Sequence, residues 1–316
     1  PATDRPRTRP FDFQLKKYNM SHPDIPHFIE RIRALTDEYA DNSGAIFTVA
    51  EVGGDEAEAE MKAFTQGEAH LNSAYGFNFL YAERLTPGLV CAALAEWPDD
   101  PGTGWPSWAF ENHDAPRAVS RWSPAGCSPE DIAAFARMKM ALLASLRGNI
   151  IIYQGEELGL EQDDIPFEQL HDPEAIANWP LTLSRDGVRT PMPWVAHDPR
   201  GGFSTGSPWL PVGEANRTRA VDAQTKDPEA LLGFTRRMLA LRNATPALRH
   251  GRVAQCHADG DLLWLTREAD GQSVLCVFNL GAGEHAIEVG GRELLAINGA
   301  PAGPLPPFAA LILETA

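Results

Sequence analysis

Two places in this 316-residue chain end a strand-like run with a carboxylate beside a group that could help it. Glu51 follows Ala45-Ile46-Phe47-Thr48-Val49-Ala50, and Asp114 follows Asn112-His113 at the end of residues 108–111. Cleaving a glycosidic bond requires two carboxyl groups flanking it, one as proton donor and one as nucleophile or base. Glu51 and Asp114 are candidates for such a pair. Each could equally cap the turn or helix that follows, as Asp114 could ahead of Pro116. Glu156 and Glu157 end a third run, but two adjacent acids on a strand-to-loop turn read as loop anchors.

The elements that would position these groups alternate in type. Ile25, Phe28, Ile29, Ile32 and Leu35 recur at helical spacing, with Ser21 or Asp24 as cap. Residues 45–50 are apolar and partly β-branched and stop at Glu51 and Gly53-Gly54, as a buried strand does. Helices are expected over 56–65, 87–97 and 129–146, and strands over 74–80, 108–111 and 149–153. Such alternation is that of parallel strands with crossover helices. Polar residues gather at strand C-termini, where both a (β/α)8 barrel and an open doubly wound sheet place ligands, so periodicity alone does not separate the two.

Residues 158–222 read as a long irregular stretch, a type that tends to be functional. A helix is expected over 227–241. After Pro246 come short strand-like runs at 253–257, 262–266, 273–279, 286–289, 293–297 and 309–313, separated by Gly and Asp turns. They predict a small antiparallel β-sandwich domain over 247–316, following a larger domain over 1–246.

The net charge of −16 argues against unspecific binding to nucleic acid or anionic membranes. No apolar run approaches the ~20 residues needed to span a bilayer. Cys91, Cys127, Cys256 and Cys276 form no C-x-x-C pair and read as core thiols of a reducing, cytoplasmic compartment, with a disulfide among them as the alternative. The chain opens Pro-Ala-Thr-Asp-Arg, in a Pro- and Arg-rich loop without Met or a signal peptide, which leads us to expect a preceding segment.

Four segments carry a resemblance. Phe47-Thr48-Val49-Ala50-Glu51-Val52-Gly53 resembles the fifth-strand motif of glycoside hydrolase family 13, the α-amylase family. Phe110-Glu111-Asn112-His113-Asp114-Ala115-Pro116-Arg117 resembles its seventh-strand motif, and residues 151–159 (Ile-Ile-Tyr-Gln-Gly-Glu-Glu-Leu-Gly) its eighth. Residues 184–194, which include Arg185 and Arg189, are similar to a segment of its oligo-1,6-glucosidase and α-glucosidase branch. All four stand in family order.

The resemblance implies the C-terminal half of a (β/α)8 TIM barrel, strands five to eight, followed by the sandwich. It makes Glu51 the general acid/base, and Asp114 a stabiliser of the oxocarbenium-like transition state that also binds sugar hydroxyls. His113 and Arg189 would bind the same glucose, Arg189 pairing with an aspartate from an early barrel loop; a surface arginine is the alternative. Phe77 would be either an aromatic wall against the sugar or a core aromatic. The family's nucleophile, the aspartate of a Gly-x-Arg-x-Asp sequence on the fourth strand, has no counterpart here. Asp222 follows Arg219-Ala220-Val221 but lies after the eighth-strand motif. The expected partners are therefore a small α-glucoside and an N-terminal segment that completes the barrel and supplies the aspartate. No metal or cofactor is expected in this chain; a calcium ion would belong to the N-terminal half. Half a barrel would expose its first and last strand edges.

The activity implied is that of a retaining, exo-acting α-glucosidase, with glucosyl transfer to alcohols as a side reaction. A transglucosylase or sucrose isomerase of the same family is the nearest alternative. A non-catalytic amylase-like transporter heavy chain is the alternative of another class, and would show degraded motifs and a membrane anchor.

Overall fold

The computed structural model describes residues 21–40, 44–54, 56–99, 104–181, 183–299 and 303–315. Helix α1 (Ile25–Glu38) starts at Asp24, whose side chain makes no capping bond. Of its apolar stripe only Ile29 is buried, while Phe28 and Leu35 stay exposed. The chain then alternates β1 (Val49–Glu51), α2 (Ala57–Thr65), β2 (Ser73–Tyr75), α3 (Pro87–Ala95), β3 (Pro106–Ala109), α4 (Ala118–Trp122), α5 (Pro129–Ser145) and β4 (Asn149–Ile151). The four strands pair in parallel in sequence order, with Glu51 beside Tyr75, Ala74 beside Pro106 and Ser107 beside Asn149. Helical crossovers make parallel pairing possible.

The strand expected over 74–80 ends at Tyr75. Gly76 packs against Met61, and Asn78 donates to Glu58 of α2 at 2.8 Å, pulling the chain out of the sheet. Phe79 then turns inward against Trp108 and Phe110. Tertiary contacts thus override a run that reads as β from its apolar residues.

Helix α5 opens with a capping box in which Ser128 and Asp131 exchange bonds. From Met138 to Ser145 every residue is buried, so the helix is enclosed on all sides. Its last carbonyls would be orphaned in such a place. Arg242, in the helix Leu231–Ala244, donates to the carbonyls of Ala144 (2.6 Å), Leu146 (3.0 Å) and Gly148 (2.5 Å). Arg267 donates to that of Ser145 at 2.6 Å. These bonds give two buried guanidinium groups partners of the right kind.

Residues 158–222 are not wholly irregular. They include α6 (Pro173–Asn178), α7 (Glu214–Thr218) and the start of α8 (Val221–Thr225), besides 3-10 turns at Glu156–Leu158, Phe167–Gln169 and Arg185–Val188. Helix α9 (Leu231–Ala244) begins later than expected, because Asp227 accepts from the Glu229 N–H and makes a turn instead. Helix α10 (Pro246–His250) follows.

The C-terminal strands are β5 (Arg252–Asp259), β6 (Leu262–Ala269), β7 (Gln272–Asn279), β8 (Arg292–Ile297) and β9 (Ala310–Glu314), in the order β5-β6-β7-β9-β8 and antiparallel throughout. The sandwich expectation is corrected here. The named strands form one sheet, and residues 286–289 are not a strand; His285 meets Leu305 by a single bridge. Alternation explains how one sheet suffices. Leu263, Leu265, Cys276, Phe278 and Ile312 join the main core with Met138 and Leu142. Leu262, Val277, Leu311 and Leu313 face the other way, where Leu305, Ala309, Ile287 and Val289 cover them. Loop residues do the work of a second sheet. The main core runs without a break from Val52 and Trp108 to Phe278 and Ile312, across the change from parallel to antiparallel strands.

Of the four cysteines expected as reduced core thiols, two take the disulfide alternative instead. Cys91 of α3 and Cys256 of β5 are disulfide-bonded, with Cα atoms 5.5 Å apart. Cys127 and Cys276 are free. With that bond the argument for a reducing compartment lapses. No helix among the described residues is long and apolar enough to cross a membrane.

Candidate active site

Parallel strands put all their C-terminal ends on one edge of the sheet. Glu51 ends β1, exposed. Gly53, two residues on, lies so close to the Phe77 ring that a side chain there would collide with it. Phe77 follows β2, half-buried, beside Tyr81 at 5.3 Å between ring centroids. After β3 the chain turns sharply, because Asn112 Oδ1 accepts from the backbone N–H groups of Asp114 (2.9 Å) and Ala115 (2.8 Å).

That turn presents Asp114 to two arginines and a histidine. Arg189 Nη2 donates to Asp114 Oδ1 at 2.5 Å, and Arg189 Nε donates to the His113 carbonyl at 2.8 Å. Arg185 Nη1 lies 3.5 Å from the same carboxylate oxygen, and His113 Nε2 3.6 Å from it. Arg185 is itself fixed by Asp172, which accepts from its Nε (3.0 Å) and Nη2 (2.6 Å) in a bidentate pair and from its backbone N–H (3.0 Å). These bonds hold the Asp172 carboxyl down at about 2, against the opposing effect of burial. A cavity of about 370 Å3 opens beside Asp114, lined also by Tyr81, Asp172, Leu183, Arg185 and Val188.

Tyr75 sits on β2, in register with Glu51. Burial first, and then the neighbouring Glu51 carboxylate, push its hydroxyl up to about 12; Asp114 adds a weaker effect in the same direction. The tyrosine thus stays neutral between the two carboxylates and senses both. Among the described residues no three His, Cys, Asp or Glu side chains converge as metal ligands would.

All five expected site residues lie near this strand-end edge. Asp114, His113 and Arg189 are in direct contact, while Glu51 and Phe77 stand across Tyr75 and Gly53. The carboxylate bonded to Arg189 is Asp114, where the resemblance implied an aspartate from an early loop. The neighbourhood of Phe77 includes Leu80, Ala109, Ala115 and Ile151, an apolar patch that also takes in Tyr75. The sequence reading missed Tyr75 and the Arg185–Asp172 pair. Tyr75 was detectable as a polar aromatic one strand along from Glu51, had the end of β2 been placed correctly. Arg185 lies inside the segment quoted for Arg189. Glu156 and Glu157 do not reach Asp114: Glu156 is buried and ion-paired with Lys139 at 2.6 Å, as loop anchors would be.

Residues 2–251 match the family described as "Alpha amylase, catalytic domain". The chain is 40% identical over 280 residues to a Rhizobium meliloti (strain 1021) protein named "Probable alpha-glucosidase", covering 88% of this chain and 49% of that one. It is 27% identical over 303 residues to an oligo-1,6-glucosidase of Heyndrickxia coagulans, covering 85% and 53%. The chain spans about half the length of these curated relatives. Among solved structures, the alpha-glucosyl transfer enzyme XgtA superposes with a TM-score of 0.85 at 36% identity, over 97% of this chain and 57% of that one. The trehalulose synthase MutB of Pseudomonas mesoacidophila MX-45 shares the fold, with a TM-score of 0.77 at 23% identity over 93% and 59%. A catalytic-domain match across most of the chain, joined to strand-end carboxylates in family order, makes this chain a member of the α-amylase family, glycoside hydrolase family 13, related to its α-glucosidases and oligo-1,6-glucosidases.

Proposed function

We propose that this chain carries the acid/base and glucose-binding side of a retaining, exo-acting α-glucosidase acting on small oligosaccharides or α-glucosides. The observation that carries the reading is the clamp on Asp114 by Arg189 and Arg185, on the same strand-end edge as Glu51. Glu51 protonates the leaving oxygen and then takes a proton from water. Asp114, paired with Arg189 and Arg185, stabilises the oxocarbenium-like transition state and binds sugar hydroxyls. His113 and Arg189 hold the glucose, and Phe77 forms a wall beside it.

The nucleophile is an aspartate on an N-terminal segment that completes a (β/α)8 barrel, of which β1–β4 are strands five to eight. Two observations support this. The chain spans about half of its relatives, and Ile46, Phe47 and Val49 leave the β1 side uncovered. In the complete enzyme, Glu51→Gln should abolish turnover of glucosides with poor leaving groups and spare activated ones more. Equal loss on both would count against Glu51 as proton donor.

Likeness to an alpha-glucosyl transfer enzyme at 36% identity favours transfer to an alcohol as a second outcome at the same site. Product analysis on maltose and sucrose, with and without an added alcohol, separates hydrolysis, transfer and isomerisation. A non-catalytic transporter heavy chain is disfavoured because Glu51, His113, Asp114 and Arg189 are all present.

A further inference from the structure

Glu111, Arg117, Lys139 and Glu156 form a charged cluster whose side chains are 0–1% exposed. No step proposed above uses it. Buried ion pairs are weak devices for stability, since well-packed apolar residues in their place often do as well or better. The cluster's bonds suggest another purpose, because they reach three separate segments around the site.

Glu111 Oε1 accepts from the backbone N–H of Ala118 at 3.1 Å, which spans the turn containing His113 and Asp114. Glu156 Oε2 accepts from the Tyr153 N–H at 3.2 Å, just after β4. Arg117 bonds Glu111 at 3.1 Å, then donates to the Gln154 carbonyl (2.7 Å) and the Val188 carbonyl (3.4 Å). Tyr153 donates its hydroxyl to that same Val188 carbonyl at 3.0 Å, and Arg117 lies over its ring. Val188 immediately precedes Arg189. Gly155 permits the turn into Glu156 by adopting a left-handed φ of 84°, where a side chain would run into Leu160. Lys139 comes from outside these segments, on the enclosed helix α5. Its ammonium bonds Glu156 at 2.6 Å and Glu111 at 3.3 Å.

We propose that Lys139 is a positioning residue, which locks the chain after β3 to the chain after β4 and so sets the spacing of Asp114 and Arg189 without touching substrate. This rests on the reading of Asp114 and Arg189 as glucose-binding groups.

The test uses the complete enzyme. Lys139→Met keeps the aliphatic stem and strands a buried acid; Lys139→Met with Glu156→Gln removes that acid too. Melting temperature is measured beside kcat and KM for an α-glucoside, well below any melting transition. The double variant should recover most of the melting temperature lost by Lys139→Met. Its kcat/KM should stay roughly 10- to 100-fold down, with KM raised as well as kcat lowered, because small misplacements near reacting groups cost about that much. A purely structural lysine predicts instead that kinetics recover in step with melting temperature, and that result overturns the proposal. Tyr153→Phe, which removes one hydroxyl bond to Val188, should lower kcat/KM several-fold with little change in melting. If the Lys139 variants do not fold, wild-type kinetics in Tyr153→Phe overturn the proposal. Asp114→Asn separates the two levels: an active Asp114→Asn defeats the functional reading, whereas an inactive one beside a kinetically normal double variant defeats only the role of Lys139.

Discussion

Past β3 and β4 the chain closes over its charges, while beside β1 it leaves apolar side chains in the open. Around Asp114, Arg189 and Arg185 meet one carboxylate oxygen, and four charged side chains below are sealed from water. Around Glu51, Phe47 is 63% and Val49 49% exposed. The first region is held together by its own contacts. The second has a catalytic candidate on an edge strand whose apolar neighbours have no cover, and sheet edges of that kind are normally paired or protected. The Asp114 side of the candidate site is thus closed by contacts within this chain, whereas the Glu51 side keeps exposed apolar neighbours.

The largest expected effect breaks that contrast directly. This chain expressed alone should not turn over α-glucosides, and the complete enzyme should. Hydrogen exchange at residues 45–51 should slow markedly when the preceding segment is present, with little change at 111–118. Equal protection of both regions in the isolated chain would remove the asymmetry. Next comes Asp114→Asn in the complete enzyme. If Asp114 acts mainly in the transition state, as proposed, kcat should fall by roughly 100- to 1,000-fold, the usual scale for such groups, with KM affected less.

What the sequence made legible follows the same divide. Glu51, His113 and Asp114 could be found because each ends a short apolar run, and strand ends are local features. Tyr75 was harder to place, since the run reads as a strand to residue 80 while β2 stops at Tyr75, before Asn78 reaches Glu58 of α2. Lys139 sits inside a helical pattern that reads as an apolar stripe, and nothing local shows that its two acids come one from the chain after β3 and one from the chain after β4. The Cys91–Cys256 bond needs α3 to meet β5 across a sequence separation of 165, which no spacing rule reveals. The one-sheet C-terminal arrangement was hidden for a related reason: residues 286–289 have strand-like composition but cover the sheet as a loop.

That disulfide gives a prediction of intermediate size. It ties the parallel part to the antiparallel part, far along the chain from the site. Replacing both Cys91 and Cys256 by Ser should lower unfolding free energy by about 2–4 kcal/mol, as loss of long-loop disulfides does. The denaturant midpoint measures this, and kcat should be nearly unchanged. A midpoint unaffected by the replacement would mean the bond contributes nothing to the folded enzyme.

The Asp172–Arg185 pair gives a smaller effect with a defined pH window. Its carboxyl titrates at about 2 in the folded chain, against an ordinary value of 3.8. A depressed carboxylate stabilises the fold above the unfolded value and loses that contribution as pH falls through the folded one. The window is therefore about pH 4 down to 2, and the amount is of the order of 2 kcal/mol. Stability measured from pH 5 to pH 2.5 should fall less steeply in Asp172→Asn than in the parent. Identical slopes would show that the pair is not formed in solution.

The smallest expected effect concerns Phe77, which lies on the boundary between the two regions. Its ring packs against Gly53 on one side and Tyr81 on another, and it is only half-buried. Phe77→Leu keeps most of the apolar volume but loses the flat face. If the ring serves as a wall for the sugar, KM should rise several-fold, on the order of 1 kcal/mol of aromatic contact, while melting temperature barely moves. If it serves the core, the melting temperature should fall and KM should hold. The first outcome extends the substrate-holding surface from the closed side toward Glu51. The second confines that surface to Asp114, His113 and Arg189, and makes the open side dependent on the remainder of the barrel for every sugar contact except the proton donor.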